Sequence, residues 1–125
     1  MSDAPLLLVV DDDPSVLLLI DVFAEKMGFR VKAVTSGLLA LELLRDGLRP
    51  AVILLNILLE RTHGLTFMNH LREIPSLEET PVIAMSTAEA LDRYGTQLQV
   101  SGTLLKPITR ASLTPALEPY KMPSG

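Results

Sequence analysis

The chain has no cysteine and no tryptophan, and aromatic residues make up only 4% of its 125 positions. Without cysteine there is no disulfide framework and no thiolate chemistry, which fits a reducing cytoplasm. So few aromatic rings argue against a base-stacking platform. There is no run of basic residues and the net charge is −4, so direct nucleic-acid binding is not expected. No apolar run is long enough to cross a bilayer. The opening residues Met1-Ser2-Asp3 lack the basic region of a signal peptide. What the chain has in abundance is leucine, and its mean hydropathy of +0.35 is high for a domain that stays in water. Either the core is large or some apolar surface is offered to a partner.

The length suits one domain, residues 1–125, with a single good core. Strand and helix patterns alternate along it. Leu6 to Val10 and Ala51 to Leu55 are continuous apolar runs, as expected of strands buried on both faces. Arg30 to Val34, Pro81 to Met85 and Thr103 to Leu105 complete a set of five. Asp13 is placed to cap a first helix, with Pro14 in its first turn and Gly28 just past its end near Met27. Ser36 caps a second helix that ends near Asp46, before Gly47. A third is expected from about Leu65 to Glu73, closed by Pro75, and a short fourth from Ala88 to Tyr94, closed by Gly95.

The last helix reads poorly, because Pro115 falls inside it, where a proline costs about 3 kcal/mol and one backbone hydrogen bond. A short, kinked or frayed element is expected there, restarting with Thr114 as cap and Pro115 at the first position. The ordered core is expected over residues 4–120, with 121–125 a flexible tail. The sum is (βα)5, an α/β three-layer sandwich whose parallel sheet carries helices on both faces.

Four strands deliver polar groups at their C-terminal ends, the edge at which open α/β sheets build sites. The first ends in Asp11-Asp12-Asp13, the third in Asn56, the fourth in Ser86, and the fifth in Lys106-Pro107. Adjacent carboxylates repel, so a cation or an ammonium among them makes Asp11 and Asp12 tolerable. Hard oxygen ligands with room for water suit Mg²⁺. Asp13 is equally explained as a helix cap, and Ser86 alone would be a common cap as well. Lys106 could bring an ammonium to the same pole, and a cis peptide before Pro107 would aim it inward.

These motifs, V-V-D-D-D-P, L-L-N-I-L-L with its closing Gly64, P-V-I-A-M-S and L-L-K-P, resemble those of bacterial response-regulator receiver domains over nearly the whole chain. The resemblance implies a doubly wound, flavodoxin-like sheet of order 2-1-3-4-5. It also implies a two-component signalling role in the cytoplasm, with a sensor histidine kinase or a downstream signalling protein as partner. In that family an aspartate at the end of strand three accepts a phosphoryl group. Asn56 stands at that position. Asp11 and Asp12 would hold Mg²⁺ together with the backbone carbonyl of Leu58, and Ser86 and Lys106 would meet the phosphoryl group.

The departures from the pattern matter as much. An amide nitrogen is a poor nucleophile, and the loss of a charge should weaken Mg²⁺ binding. Thr103 stands where many receivers carry a switch aromatic, Glu60-Arg61 replaces a common Pro-Gly, and His63 replaces a common Asp. The chain therefore resembles a pseudo-receiver. It is expected not to be an enzyme and to act by protein contact. An ordinary phospho-accepting regulator with an engineered Asp-to-Asn change at 56 remains the alternative, although the clustering of departures at one pole favours a native origin. A haloacid-dehalogenase-like phosphatase would need a second acidic pair late in the chain, which is missing. A flavin module would need a phosphate-cradling loop where three aspartates stand.

Leu17 and Leu18, Leu38 and Leu39, and Leu58 with Leu59 all start from the same edge of the sheet. At helical spacing, one of each pair fits the core equally well. If one of each is exposed, together they form an apolar patch for a partner or for a second copy of the chain. His63 is expected in a solvated loop.

Overall fold

A computed structural model describes residues 4–59 and 63–121. Its parallel strands are β1 (Leu6–Val10), β2 (Arg30–Val34), β3 (Val52–Asn56), β4 (Val82–Ser86) and β5 (Gly102–Leu105). They lie side by side in the order β2-β1-β3-β4-β5. The helices are α1 (Pro14–Met27), α2 (Gly37–Arg45), α3 (Gly64–Arg72), α4 (Ala88–Leu98) and α5 (Arg110–Leu117), and a 3-10 turn follows α5 over Glu118–Tyr120. The expected (βα)5 sheet is present. Glu60-Arg61 and residues 122–125 of the expected tail lie outside the described residues.

The central strands are apolar up to their last residues, Asn56 in β3 and Ser86 in β4, because both of their faces are covered. Alternate residues point to opposite sides. Leu8, Val10, Ile53, Leu55, Val82 and Ala84 join Leu41, Leu44, Phe67 and Leu71 under α2, α3 and α4. Leu7, Val9, Val52, Leu54, Ile83 and Met85 join Ile20, Ala24, Leu113 and Leu117 under α1 and α5. The outer strands are more polar. Arg30, Lys32 and Ala33 of β2 are exposed, and such charges discourage pairing with another sheet edge.

The structure corrects two expectations about helix ends. α4 does not stop at Gly95; it continues to Leu98 and closes at Gln99, which adopts a left-handed φ of 52°. Leu98 is buried in the core, and burying a leucine contributes about 1.5–3 kcal/mol, more than the roughly 1 kcal/mol cost of a glycine inside a helix. Nor does the last helix restart at Thr114. α5 runs unbroken through Pro115, opened by a reciprocal cap between Thr109 and Ser112. Leu113 and Leu117 are both fully buried on either side of the proline. The backbone bond that Pro115 cannot make would go to Ala111, an exposed residue whose carbonyl can meet water.

Candidate functional site

The ends of β1, β3, β4 and β5 converge at one pole of the sheet. Asn56 is the last residue of β3 and pairs in register with Met85, one residue before Ser86 closes β4. The Lys106 N–H donates to the Ser86 carbonyl at 2.8 Å, which ties the fifth strand's end to the fourth. The Lys106–Pro107 peptide is cis. Asp11, Asn56 and Ser86 are all buried, whereas Asp12 is exposed.

Asp11 is the electrostatic centre. Its side chain is fully buried, and the Lys106 Nζ lies 2.8 Å from its Oδ2. At that distance ammonium and carboxylate make a charge-assisted contact, which is the partner of this buried oxygen. Distance and charge identify the partner here, since a carboxylate in the interior needs a compensating cation. Asp11 Oδ1 accepts the Asp13 N–H at 2.9 Å. The Asn56 Nδ2 faces both acids, donating at 3.5 Å to Asp11 Oδ1 and at 3.4 Å to Asp12 Oδ1. Asn56 Oδ1 accepts the Leu58 N–H at 3.3 Å.

Asp13 plays the capping part. Its Oδ1 accepts the Ser15 hydroxyl at 2.7 Å and the Ser15 N–H at 2.9 Å. These bonds stabilise the charged form and hold the Asp13 carboxyl below its usual range, the Ser15 hydroxyl first, with a smaller contribution from Lys106.

The donor set suits a divalent cation badly. Asp11 and Asp12 offer carboxylate oxygens, but Lys106 already holds Asp11 Oδ2, and the third group facing the acid pair presents an N–H₂ donor where a metal requires an oxygen. Among the described residues no three His, Cys, Asp or Glu side chains gather as a metal cluster.

Two of the three leucine pairs split between core and surface. Leu17 is buried at 8% exposure with Ile20 and Ala24 on the inner face of α1, and is not part of any surface. One position further, about 100° around the helix, Leu18 is 66% exposed. Leu38 and Leu39 are both exposed, because Ala40, Leu41 and Leu44 already fill the inner face of α2. Leu58 is exposed and Leu59 buried. Thr103 is exposed on β5, at the edge of the sheet.

His63 is not a solvated loop residue. Its Nδ1 accepts the Leu65 N–H at 3.1 Å and caps α3. Its ring meets Tyr94 edge-on at 4.7 Å between centroids. Sequence reading missed this pair, since the two rings are distant in the chain and only the docking of α4 beside the β3–α3 loop joins them. A cavity of about 210 Å³ opens beside it, lined by Leu58, Thr87, Glu89, Ala90, Arg93 and Tyr94. Gly64 was legible as a loop-closing glycine, but its reason is tertiary: a β-carbon there would stand 2.9 Å from Ile57 Cβ and 3.0 Å from Ile57 Cα.

The response regulator receiver domain profile matches residues 7–118. The chain is 33% identical over 129 aligned positions to the probable C4-dicarboxylate response regulator DctR of Halalkalibacterium halodurans, covering 97% of this chain and 54% of that protein. It therefore spans about half the length of that relative. It is 32% identical over 107 positions to the two-component response regulator ORR5 of Oryza sativa subsp. japonica, covering 84% of this chain and 80% of that one. In fold it is similar to the receiver domain of the sensor histidine kinase PA1611 of Pseudomonas aeruginosa PAO1, with a TM-score of 0.83, 24% identity and coverage of 93% and 96%. That crystal structure has a magnesium ion coordinated in its active site cleft.

Proposed function

This chain belongs to the response regulator receiver domain family, and from that premise we propose that it is a signalling module working by protein contact, without an aspartyl-phosphate cycle at position 56. The observation that carries the reading is Asn56 itself, buried at the end of β3 with both ends of its amide engaged. Phosphoryl acceptance needs an oxygen nucleophile with a negative charge to give. The amide oxygen is neutral and its nitrogen is a poor nucleophile. The exposed position of Thr103, with no aromatic ring to swing inward, supports a module that lacks the family's rotamer switch.

Mg²⁺ belongs to this family's chemistry, where Asp11, Asp12 and the Leu58 carbonyl would be its protein ligands. Here its affinity is lowered by the missing charge. The partner is a sensor histidine kinase or a downstream signalling protein in the cytoplasm. Exposed Leu18, Leu38, Leu39 and Leu58 are the apolar groups available to it. A second copy of the chain could use the same groups. The module catalyses nothing itself.

Retention of Ser86 and Lys106 at their strand ends supports a second reading, an ordinary phospho-acceptor silenced only by Asn56. Intact mass after incubation with acetyl phosphate and Mg²⁺ separates the cases, on the parent and on Asn56→Asp. The parent is expected to stay unmodified, and a phosphoryl adduct on it would overturn the proposal. If Asn56→Asp gains one phosphoryl group, the rest of the pocket is competent and the second reading is favoured. If it gains none, the pocket has diverged more widely.

A further inference from the structure

We infer that the Asn56 amide takes the place of a cation between Asp11 and Asp12, so that the acid pair is held without a metal. The inference rests on the reading of this pole as a receiver pocket and goes beyond the loss of a phosphorylation site. A missing charge would merely weaken an ion's hold. A donor seated among the carboxylates excludes the ion by occupying its role.

The amide's direction is set by its surroundings. With Nδ2 toward the acids, it donates to Asp11 and Asp12 while Oδ1 accepts from Leu58 N–H. Turned the other way, Oδ1 would face two carboxylates and the N–H₂ would face the Leu58 donor. To become a metal ligand through Oδ1, Asn56 would have to make that turn and forfeit all three contacts. The two acid contacts, at 3.4 and 3.5 Å, are longer than ordinary N–H···O bonds, and the N–H₂ group has one proton for each carboxylate. Lys106 supplies the positive charge at Asp11 Oδ2, 2.8 Å away. A neutral amide and one ammonium from different strand ends thus face the acids at the position an ion would take.

Truncation separates occupancy from charge. Asn56→Ala restores no charge but removes the amide. If the amide excludes the ion, Asn56→Ala binds Mg²⁺ more tightly than the parent, by roughly tenfold or more, the scale on which groups around a metal site act. Asn56→Asp binds more tightly again. Isothermal titration with MgCl₂ reads the affinities, and thermal unfolding in Mg²⁺ against EDTA gives a second readout, since a ligand of the folded state raises Tm with its concentration. The parent is expected to show no Mg²⁺-dependent shift and both variants a clear one. Equal affinity of the parent and Asn56→Ala, whether measurable or absent in both, overturns the inference and leaves charge as the whole explanation. If Asn56→Ala does not fold, Asn56→Val removes the amide as well and suits a strand position. Phosphorylation of the parent would defeat the proposed function without touching this result, so the two failures are distinguishable.

Discussion

At the scale of single residues, the side chain with most at stake is Asp11. It is fully buried, and its Oδ2 depends on Lys106 for charge. Removing the ammonium strands a carboxylate in the interior, and breaking a buried pair from one side costs about 3–5 kcal/mol. Lys106→Met is therefore expected to lower the urea midpoint with the m-value unchanged. Adding Asp11→Asn should restore most of the loss, because the orphaned charge is gone. A Lys106→Met protein as stable as the parent would show that the pair contributes nothing to the fold. The strand ends made Asp11 and Lys106 legible as neighbours. Asp13 was legible as the cap of α1 from Pro14 behind it, and it caps through Ser15; that its own N–H also donates to Asp11 Oδ1 depends on backbone geometry after the strand.

At the scale of elements, the end of β3 and the start of α3 approach closely at Ile57 and Gly64. Gly64 N–H donates to the Ile57 carbonyl at 2.9 Å, and Leu58 and His63 form an isolated bridge across the loop. Alanine normally stabilises a helix relative to glycine by about 0.5–1 kcal/mol. At position 64 the added carbon would meet Ile57 backbone at 3.0 Å, and overpacking against a fixed neighbour costs about 1–3 kcal/mol. The clash wins, so Gly64→Ala is expected to lower the denaturation midpoint. A gain in stability would show that the loop yields without cost. Elsewhere, local signals misjudged two ends. Gly95 and Pro115 are breakers by propensity, but Leu98 and Leu117 anchor the turns beyond them. Propensities of a few kcal/mol lose to burial that sequence neighbours do not reveal.

At the scale of the whole molecule, the sheet divides the core into two apolar layers and leaves a set of leucines outside both. Leu18→Asp and Leu38→Asp are expected to keep native circular dichroism, since exposed substitutions usually change stability by less than about 0.5 kcal/mol. Both should weaken any self-association or partner binding seen by size-exclusion chromatography. Leu17→Asp places a charge in the core and is expected to unfold the domain in the same assay. Loss of secondary structure in Leu18→Asp or Leu38→Asp would show those leucines to be structural and remove the surface from consideration.

The alternation of apolar runs with helical patterns, and the polar residue at each strand end, determined the (βα)5 architecture and which residues meet at the C-terminal pole of the sheet. Both are local or periodic properties: a run buried on two faces must be apolar, and a site at a sheet edge must begin where a strand stops. What each pocket residue does was decided only in three dimensions. The direction of the Asn56 amide depends on carboxylates 45 and 44 residues away. The difference between Leu17 and Leu18 depends on which side of α1 meets the sheet, and His63 finds Tyr94 only because α4 docks beside its loop. Hydrogen bonds and contacts act at a few ångströms, and distance along the chain does not encode them.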